Sequence, residues 1–316
     1  MKVAIIGRGF GNYAMKPAYR ALGWDVEMVA ARDEVALDAA FSGDADLISV
    51  HSPPFQHRDH VLRAVAAGKH VLCDKPFGRN ADEAREMLNA AQQAGVLHFL
   101  NYEFRHQPAR IKVRDLIQSG AIGQLRHMAT TSFANYLHGR PHGWLNDADL
   151  GGGWIGAYGS HVIDALRWYA GAEVAQCGGV LRIDAKSHAD ANGTEVKATA
   201  EDAYSLWFAT DNGISASLDV AFSLPVSLPQ RMQFIGTDGL IELIDNTVLT
   251  LHRRGAEPEL FDLSPPAGER VWPAIRAWLE AVGQAIATGL PITPDFKDGL
   301  AAAKVMDQLK ATALRV

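Results

Sequence analysis

The sequence predicts an α/β protein. Residues 1–120 read as a doubly wound parallel sheet, and residues 121–316 as an α+β domain with a large, mostly antiparallel open sheet. Three observations predict it. Short apolar runs alternate with helix-length periodic segments over about a hundred residues, the rhythm of parallel strands joined by crossover helices. After Gly120-Ala121-Ile122-Gly123 the rhythm becomes a succession of strands separated by turn signals, among them Asp211-Asn212-Gly213 and Thr237-Asp238-Gly239. The length, 316 residues, exceeds what one hydrophobic core usually organises.

Bulk properties narrow the function classes. A formal charge of −6 without any basic run argues against nucleic acid and against an anionic membrane surface, because both need clustered Lys and Arg. The two cysteines, Cys73 and Cys177, lie far apart in apolar, strand-like contexts, so no disulfide framework is expected and a reducing compartment is. No spaced Cys/His cluster suggests a metal. The chain enters a strand at once, without the pattern of a signal peptide, and no apolar run is long enough to span a bilayer. A cytoplasmic protein is expected.

Val3-Ala4-Ile5-Ile6 is the first buried strand, and Gly7-Arg8-Gly9-Phe10-Gly11-Asn12 follows directly, with Ala14–Leu22 continuing as a helix. Strand, glycine turn and helix together are the context that gives a Gly-x-Gly run meaning, that of a Rossmann dinucleotide site. Gly7 permits the tight turn, and Gly9 lets a diphosphate approach backbone amides at a helix start. The third fingerprint position is Asn12, with Gly11 one residue early, a departure expected to loosen the helix–strand contact or shift the diphosphate. Val26–Ala31 is the second strand, ending at Arg32 and Asp33. An acid there binds the ribose 2′-hydroxyl of NAD, an arginine the 2′-phosphate of NADP. With Ala31 in the acid's usual place, Arg32 favours NADP; a surface Arg–Asp pair is the plain alternative.

Ala45–Val50 is the third strand and runs into His51-Ser52-Pro53-Pro54, a stiff loop over the carboxyl edge where a nicotinamide would lie. His57–Ala67 is helical and stops at Gly68. Val71, Leu72 and Cys73 form a strand that ends at Asp74-Lys75-Pro76. A lysine at the carboxyl end of a parallel strand can hydrogen-bond a substrate oxygen and, if partly desolvated, move its proton. A solvated lysine before a turn proline is the bland alternative. Ala81–Ala94 is the next helix, and Val96–Leu100 delivers Asn101, Tyr102, Glu103, Phe104 and Arg105 to the same edge.

In the second half, Leu125–Phe133 is a longer strand, and Asn135–Leu150 a loop containing Trp144. Gly151-Gly152-Gly153 then begins a flexible, glycine-dense approach through Tyr158 to His161, at the start of the helix Val162–Tyr169. An imidazole at a helix N-terminus has its pKa pushed down by the dipole, which keeps it neutral and able to accept a proton; a structural histidine is the alternative. Strands follow at Ala175–Ile183, Ala203–Phe208, Ile214–Val220, Met232–Ile235, Leu240–Ile244 and Val248–Leu251, then helices at Pro273–Thr288 and Phe296–Leu314.

The run Val3–Asn12, Ser52-Pro53 with His57, Asp74-Lys75-Pro76, Arg105 with Pro108, and Gly151–His161 occur in one order. The set resembles the glucose–fructose oxidoreductase / inositol dehydrogenase / MocA family along essentially the whole chain. The resemblance implies a Rossmann domain, a C-terminal α/β domain whose open sheet forms a homo-oligomer interface, and NAD or NADP. It also implies hydride transfer to or from a secondary carbinol of a sugar or cyclitol. By position, Lys75 resembles the family's catalytic lysine, Asp74 stands for its usual Glu beside the nicotinamide ribose, and His161 resembles the histidine of the proton relay. Arg105 matches an arginine near cofactor and substrate; it suggests an anionic substrate such as a sugar acid. Tyr102, Trp144 and Tyr158 are candidates to stack on a sugar ring, or core aromatics. Where the family has an Asp four residues before the histidine, this chain has Ala157. That leaves two other outcomes open: a regulator sensing NAD(P) or a sugar without turnover, and a redox-assisted elimination.

Overall fold

The Rossmann-like half begins with β1 (Lys2–Ile6), whose Val3, Ala4, Ile5 and Ile6 are fully buried, as expected for a strand covered on both faces. It continues through α1 (Lys16–Ala21), β2 (Asp25–Val29), α2 (Glu34–Ser42), β3 (Leu47–Val50), α3 (Pro54–Ala66), β4 (His70–Cys73), α4 (Ala81–Ala94) and β5 (His98–Leu100). The computed structural model describes every residue except Gly268, Arg270 and Val271. All five strands are parallel, in the order β2-β1-β3-β4-β5. The order reverses between β1 and β3, and ligands in such sheets bind outside the strand ends at that point. Helix α4 is set by its ends: the Asn80 side chain accepts from the Glu83 amide at 2.9 Å, and Gly95 closes it at φ 66°. Helix α2 escapes the periodicity argument, but Asp33 caps it by accepting from the Ala36 amide at 3.1 Å.

The chain divides into two compact units, Met1–His106 with Ala267–Lys304, and Gln107–Pro266 with Val305–Val316. The division differs from a break after residue 120. It falls before the helix Pro108–Gln118, and the late helix Pro273–Thr288 belongs to the first unit. The reason is packing: Ile275, Trp278, Leu279 and Val282 join one buried cluster with Val3, Ile5, Met15, Tyr19, Trp24, Leu72 and Phe99. Periodicity shows that such a helix has an apolar face; it does not show which sheet the face covers.

The second unit starts with α5 (Pro108–Gln118) and β6 (Leu125–Phe133), then α6 (Ser160–Ala170) and β7 (Val174–Arg182). A short hairpin, β8 (Ser187–Ala189) and β9 (Glu195–Lys197), precedes β10 (Ala203–Thr210), β11 (Ser215–Ala221), β12 (Arg231–Gly236), β13 (Gly239–Ile244), β14 (Val248–Arg253) and β15 (Glu259–Asp262). With β16 (Leu314–Arg315) these build a nine-stranded sheet ordered β15-β14-β13-β12-β6-β11-β10-β7-β16. Pairing is antiparallel except at β6–β11 and β7–β16. Strand β10 shows the two faces: Tyr204, Leu206 and Phe208 are buried, while Ser205 and Trp207 between them are exposed. Among the described residues, no helix is long and apolar enough to cross a membrane.

Candidate active site

At the switch point the turn after β1 meets the turn after β3. Gly7 has φ 114°, and a Cβ on it would lie 2.4 Å from the His51 carbonyl oxygen, so only glycine fits. A Cβ on Gly9 would meet nothing within 4 Å. The amides of Arg8 and Gly9 donate to no other backbone group among the described residues, whereas the Gly9 carbonyl accepts from Asn12 at 3.0 Å and Tyr13 at 3.2 Å. Two undonated amides beside open space make an anion cradle. The expected loosening at Asn12 does not occur. Gly11 takes over the close contact, where a Cβ would stand 2.8 Å from Ile5 Cγ2, and a π-helical turn over Gly11–Met15 absorbs the one-residue shift before α1. Asn12 itself is exposed. The Phe10 ring leans on His51, with centroids 5.8 Å apart.

After β2, Arg32 is exposed and has no ion-pair partner among the described residues; the Asp33 carboxylate is engaged as the cap of α2. After β3, the Ser52 hydroxyl bonds His60 Nδ1 at 2.9 Å, and Pro53 caps α3. The His57 ring is 1% exposed, with Nε2 2.7 Å from the Ser52 carbonyl and Nδ1 3.0 Å from that of Pro76. It ties the two loops together from within; burial pushes its pKa down, against the charge of Asp74. The Lys75–Pro76 peptide is cis.

The Asp74 carboxylate is the polar centre of this edge. Its Oδ2 faces His51 Nδ1 at 3.0 Å; its Oδ1 accepts from the Lys75 amide at 2.9 Å and from Asn101 Nδ2 at 3.2 Å. Burial would raise its pKa, but the hydrogen bond from His51, with the charge of the neighbouring Lys75, holds it below the ordinary value of 3.8. Asp74 is therefore ionised, next to a half-buried Lys75. The Asn101 Oδ1 is buried and without a hydrogen-bond partner among the described residues. His51 and Asn101 are partners of Asp74 that residue type and spacing do not announce. One signal was available: Ser49 is a polar residue in the fully buried strand β3, and a buried hydroxyl demands a partner.

Two expected substrate residues are placed differently. Arg105 closes an ion pair with Asp298 at 2.9 Å, with both side chains about nine-tenths buried, so its charge is neutralised within the first unit rather than presented to an anionic substrate. Tyr102 is 1% exposed, a core aromatic.

In the second unit, His161 is buried in the first turn of α6. The glycine-dense approach is a packed corner, not a flexible one. A Cβ on Gly152 would stand 2.3 Å from the Trp144 carbonyl oxygen, and one on Gly153, at φ 102°, would stand 2.3 Å from Glu201 Oε1. Glu201, 5% exposed, accepts from the Ile155 amide at 3.1 Å, and burial raises its pKa. A second π-helical turn, Ile155–Gly159, then leads into α6. Trp144 is partly buried in a 3₁₀ turn over Trp144–Asn146. The Tyr158 ring packs edge-on to Phe222 at 5.4 Å, and burial pushes its phenol up to about 12, so it keeps its proton. Phe222 also packs against Trp154 at 4.1 Å and an exposed Tyr136 at 5.2 Å. Ala157 places a methyl, not a carboxylate, one turn before His161.

Two family models match the chain. One, described as an oxidoreductase family with an NAD-binding Rossmann fold, covers residues 24–102; the other, the GFO/IDH/MocA C-terminal domain, covers 111–242. A 1,5-anhydro-D-fructose reductase of Ensifer adhaerens is 32% identical over 271 residues, 83% of this chain and 77% of that protein. An uncharacterized oxidoreductase of Synechocystis is 33% identical over 193 residues, so the chain spans about half (52%) of that relative's length. Levoglucosan dehydrogenase, solved with NADH and levoglucosan, superposes with a TM-score of 0.86 at 22% identity over 99% of this chain and 96% of that one, a likeness of fold. On these matches, with the parallel sheet and its glycine turn, the chain belongs to the Gfo/Idh/MocA family of oxidoreductases.

Proposed function

We propose that this chain is an NAD(P)-dependent oxidoreductase that moves hydride between a nicotinamide and a secondary hydroxyl or ketone of a sugar, cyclitol or related polyol. One observation carries it: an open, amide-lined turn at Gly9 is locked by Gly7 onto the loop whose His51 holds Asp74, at the same edge as Lys75. The residues fit the dinucleotide. The Arg8–Gly9 amides would hold its diphosphate, Ser52, Pro53 and Pro76 would border its nicotinamide half, and Asp74 its ribose. When bound, the nicotinamide supplies the hydride chemistry. NADP is favoured over NAD, because Arg32 has a free charge for a 2′-phosphate while Asp33 is engaged as a cap.

In the oxidation direction Lys75 Nζ binds the reacting oxygen and relays its hydroxyl proton; in reduction it returns that proton. In the second unit the side chains proposed for sugar chemistry are His161 as a proton carrier, Tyr158, which keeps its own proton and donates a hydrogen bond, and Trp144, which offers an apolar face. Two relatives support the substrate class: a 1,5-anhydro-D-fructose reductase and a dTDP-sugar 3-reductase of Actinomadura kijaniata. Self-association through the exposed sheet face around Trp207, 49% exposed, and a cytoplasmic setting complete the proposal. The test is absorbance of reduced nicotinamide with a panel of polyols, sugar acids and keto-sugars, wild type against Lys75→Ala. Turnover lost in the variant supports it. Ala157 favours one other function, a sensor that binds dinucleotide without turnover; tight binding with no turnover on any panel member would establish that instead.

A further inference from the structure

The buried hydrogen bonds behind Asp74 have one consistent direction. Tyr19 Oη lies 3.0 Å from Ser49 Oγ, which lies 2.8 Å from His51 Nε2, and His51 Nδ1 lies 3.0 Å from Asp74 Oδ2. An ionised carboxylate only accepts, so Nδ1 carries a proton and donates. In a neutral ring Nε2 then accepts, so the Ser49 hydroxyl donates to it, and the Tyr19 hydroxyl donates to Ser49. Burial pushes the Tyr19 phenol above its ordinary range, which keeps that proton in place. Tyr19, Ser49 and the His51 ring are inaccessible, so the chain of bonds has no outlet to water at its Tyr19 end and cannot conduct a proton away through it. What it can do is fix one tautomer and one carboxylate orientation.

We propose that His51, backed by Ser49 and Tyr19, is a positioning residue: it holds Asp74 ionised with Oδ1 turned to the Lys75 amide, and thereby fixes the main chain from which Lys75 projects. The proposal rests on the assignment of Lys75 to proton transfer. Groups facing Asp74 are His51 after β3, His57 on α3, Cys73 and Lys75 on either side of it, and Asn101 after β5. His51 meets Oδ2, so it is replaceable without touching the Oδ1 bonds of Lys75 and Asn101.

The test needs no substrate for its first arm. Long-range ¹H–¹⁵N correlation of the histidine rings at neutral pH is expected to show His51 as the Nδ1–H tautomer, and Ser49→Ala to give a mixture. The ¹³C signal of Asp74, assigned with Asp74→Asn, is expected to titrate about one to two pH units higher in His51→Leu, the worth of one hydrogen bond to a charged group. His51→Asn, whose amide replaces the Nδ1 donor, holds the midpoint near wild type. An Nε2–H tautomer, or one midpoint in all variants, overturns the proposal. In the second arm His51→Leu lowers kcat about tenfold and His51→Asn recovers it. A shifted carboxyl with unchanged kcat overturns the positioning role. A wild type that turns over nothing defeats the oxidoreductase assignment instead, and leaves the tautomer result standing.

Discussion

Gly7 and Gly9 stand two residues apart in one turn, yet replacing each with alanine should fail in opposite ways. At Gly7 the backbone has φ 114°, and the new Cβ would lie 2.4 Å from the His51 carbonyl oxygen and 2.8 Å from the Ser52 nitrogen. A non-glycine residue at positive φ costs about 1–2 kcal/mol. Forcing a methyl against backbone that cannot step aside costs about 1–3 kcal/mol more. A loss of this size is a large share of a typical 5–15 kcal/mol stability, and it corresponds to a fall in Tm on the order of ten degrees. At Gly9 the φ is unremarkable for an L-residue and a Cβ meets nothing within 4 Å, so Gly9→Ala changes stability by less than about 1 kcal/mol, in the stabilising direction. Its methyl fills the space beside the undonated amides. Calorimetric titration should therefore show NADPH affinity reduced at least about tenfold, 1.4 kcal/mol, at an unchanged Tm. A Gly9→Ala protein that binds dinucleotide like wild type would refute the diphosphate assignment; a Gly7→Ala protein that melts like wild type would refute the packing argument.

Other perturbations test other parts. Arg32→Ala should weaken NADPH about tenfold or more and leave NADH unchanged, read by fluorescence titration with both; equal losses would remove Arg32 from the 2′-phosphate. Lys75→Ala should lower kcat about 10²–10⁴-fold with dinucleotide affinity retained, the scale of a lost proton-transfer group. Trp278→Ala removes a fully buried ring that packs edge-on to Phe99 at 6.1 Å and should cost about 3–5 kcal/mol in denaturant melts. Burial lowers the pKa of His60 and of His106 to about 4, from 6.5. Between those values the unfolded chain binds protons that the native one refuses. Stability is thus full above about 6.5 and falls as pH drops toward 4, by up to about 3 kcal/mol per histidine. Glutamine at both positions should flatten that slope in a pH series of Tm.

The elements were legible where one local rule governs them. The stretches Ala81–Ala94, Leu125–Phe133 and Pro273–Thr288 form as the periodicity predicts, because cap, stop and apolar spacing agree within each segment. Helix α2 and the hairpin β8–β9 were not legible. The first carries a weak apolar face and the second is three residues a side, too short to alternate convincingly. The unit boundary escaped for a different reason, since it depends on Trp278 and its neighbours joining the Tyr19–Trp24 cluster across most of the sequence.

The site divides along the same line. Gly7, Gly9, Asp74 and Lys75 follow strand ends as the sequence predicts, because backbone freedom and charge at that edge are local properties. Partnership is not local. Arg105 promised a cation for substrate until Asp298, from a helix far along the chain, neutralised it. Gly151–Gly153 promised mobility until the Trp144 and Glu201 oxygens filled the space a side chain would need. Asp74 promised only a shortened glutamate until His51 was found holding its second oxygen. In each case the counterpart lay on another element. A shorter acid reaches less far from its strand, so Asp in place of Glu is workable at this edge because the neighbouring strand end supplies a ring that meets it. The pair, rather than the acid alone, is what the sequence of this edge encodes.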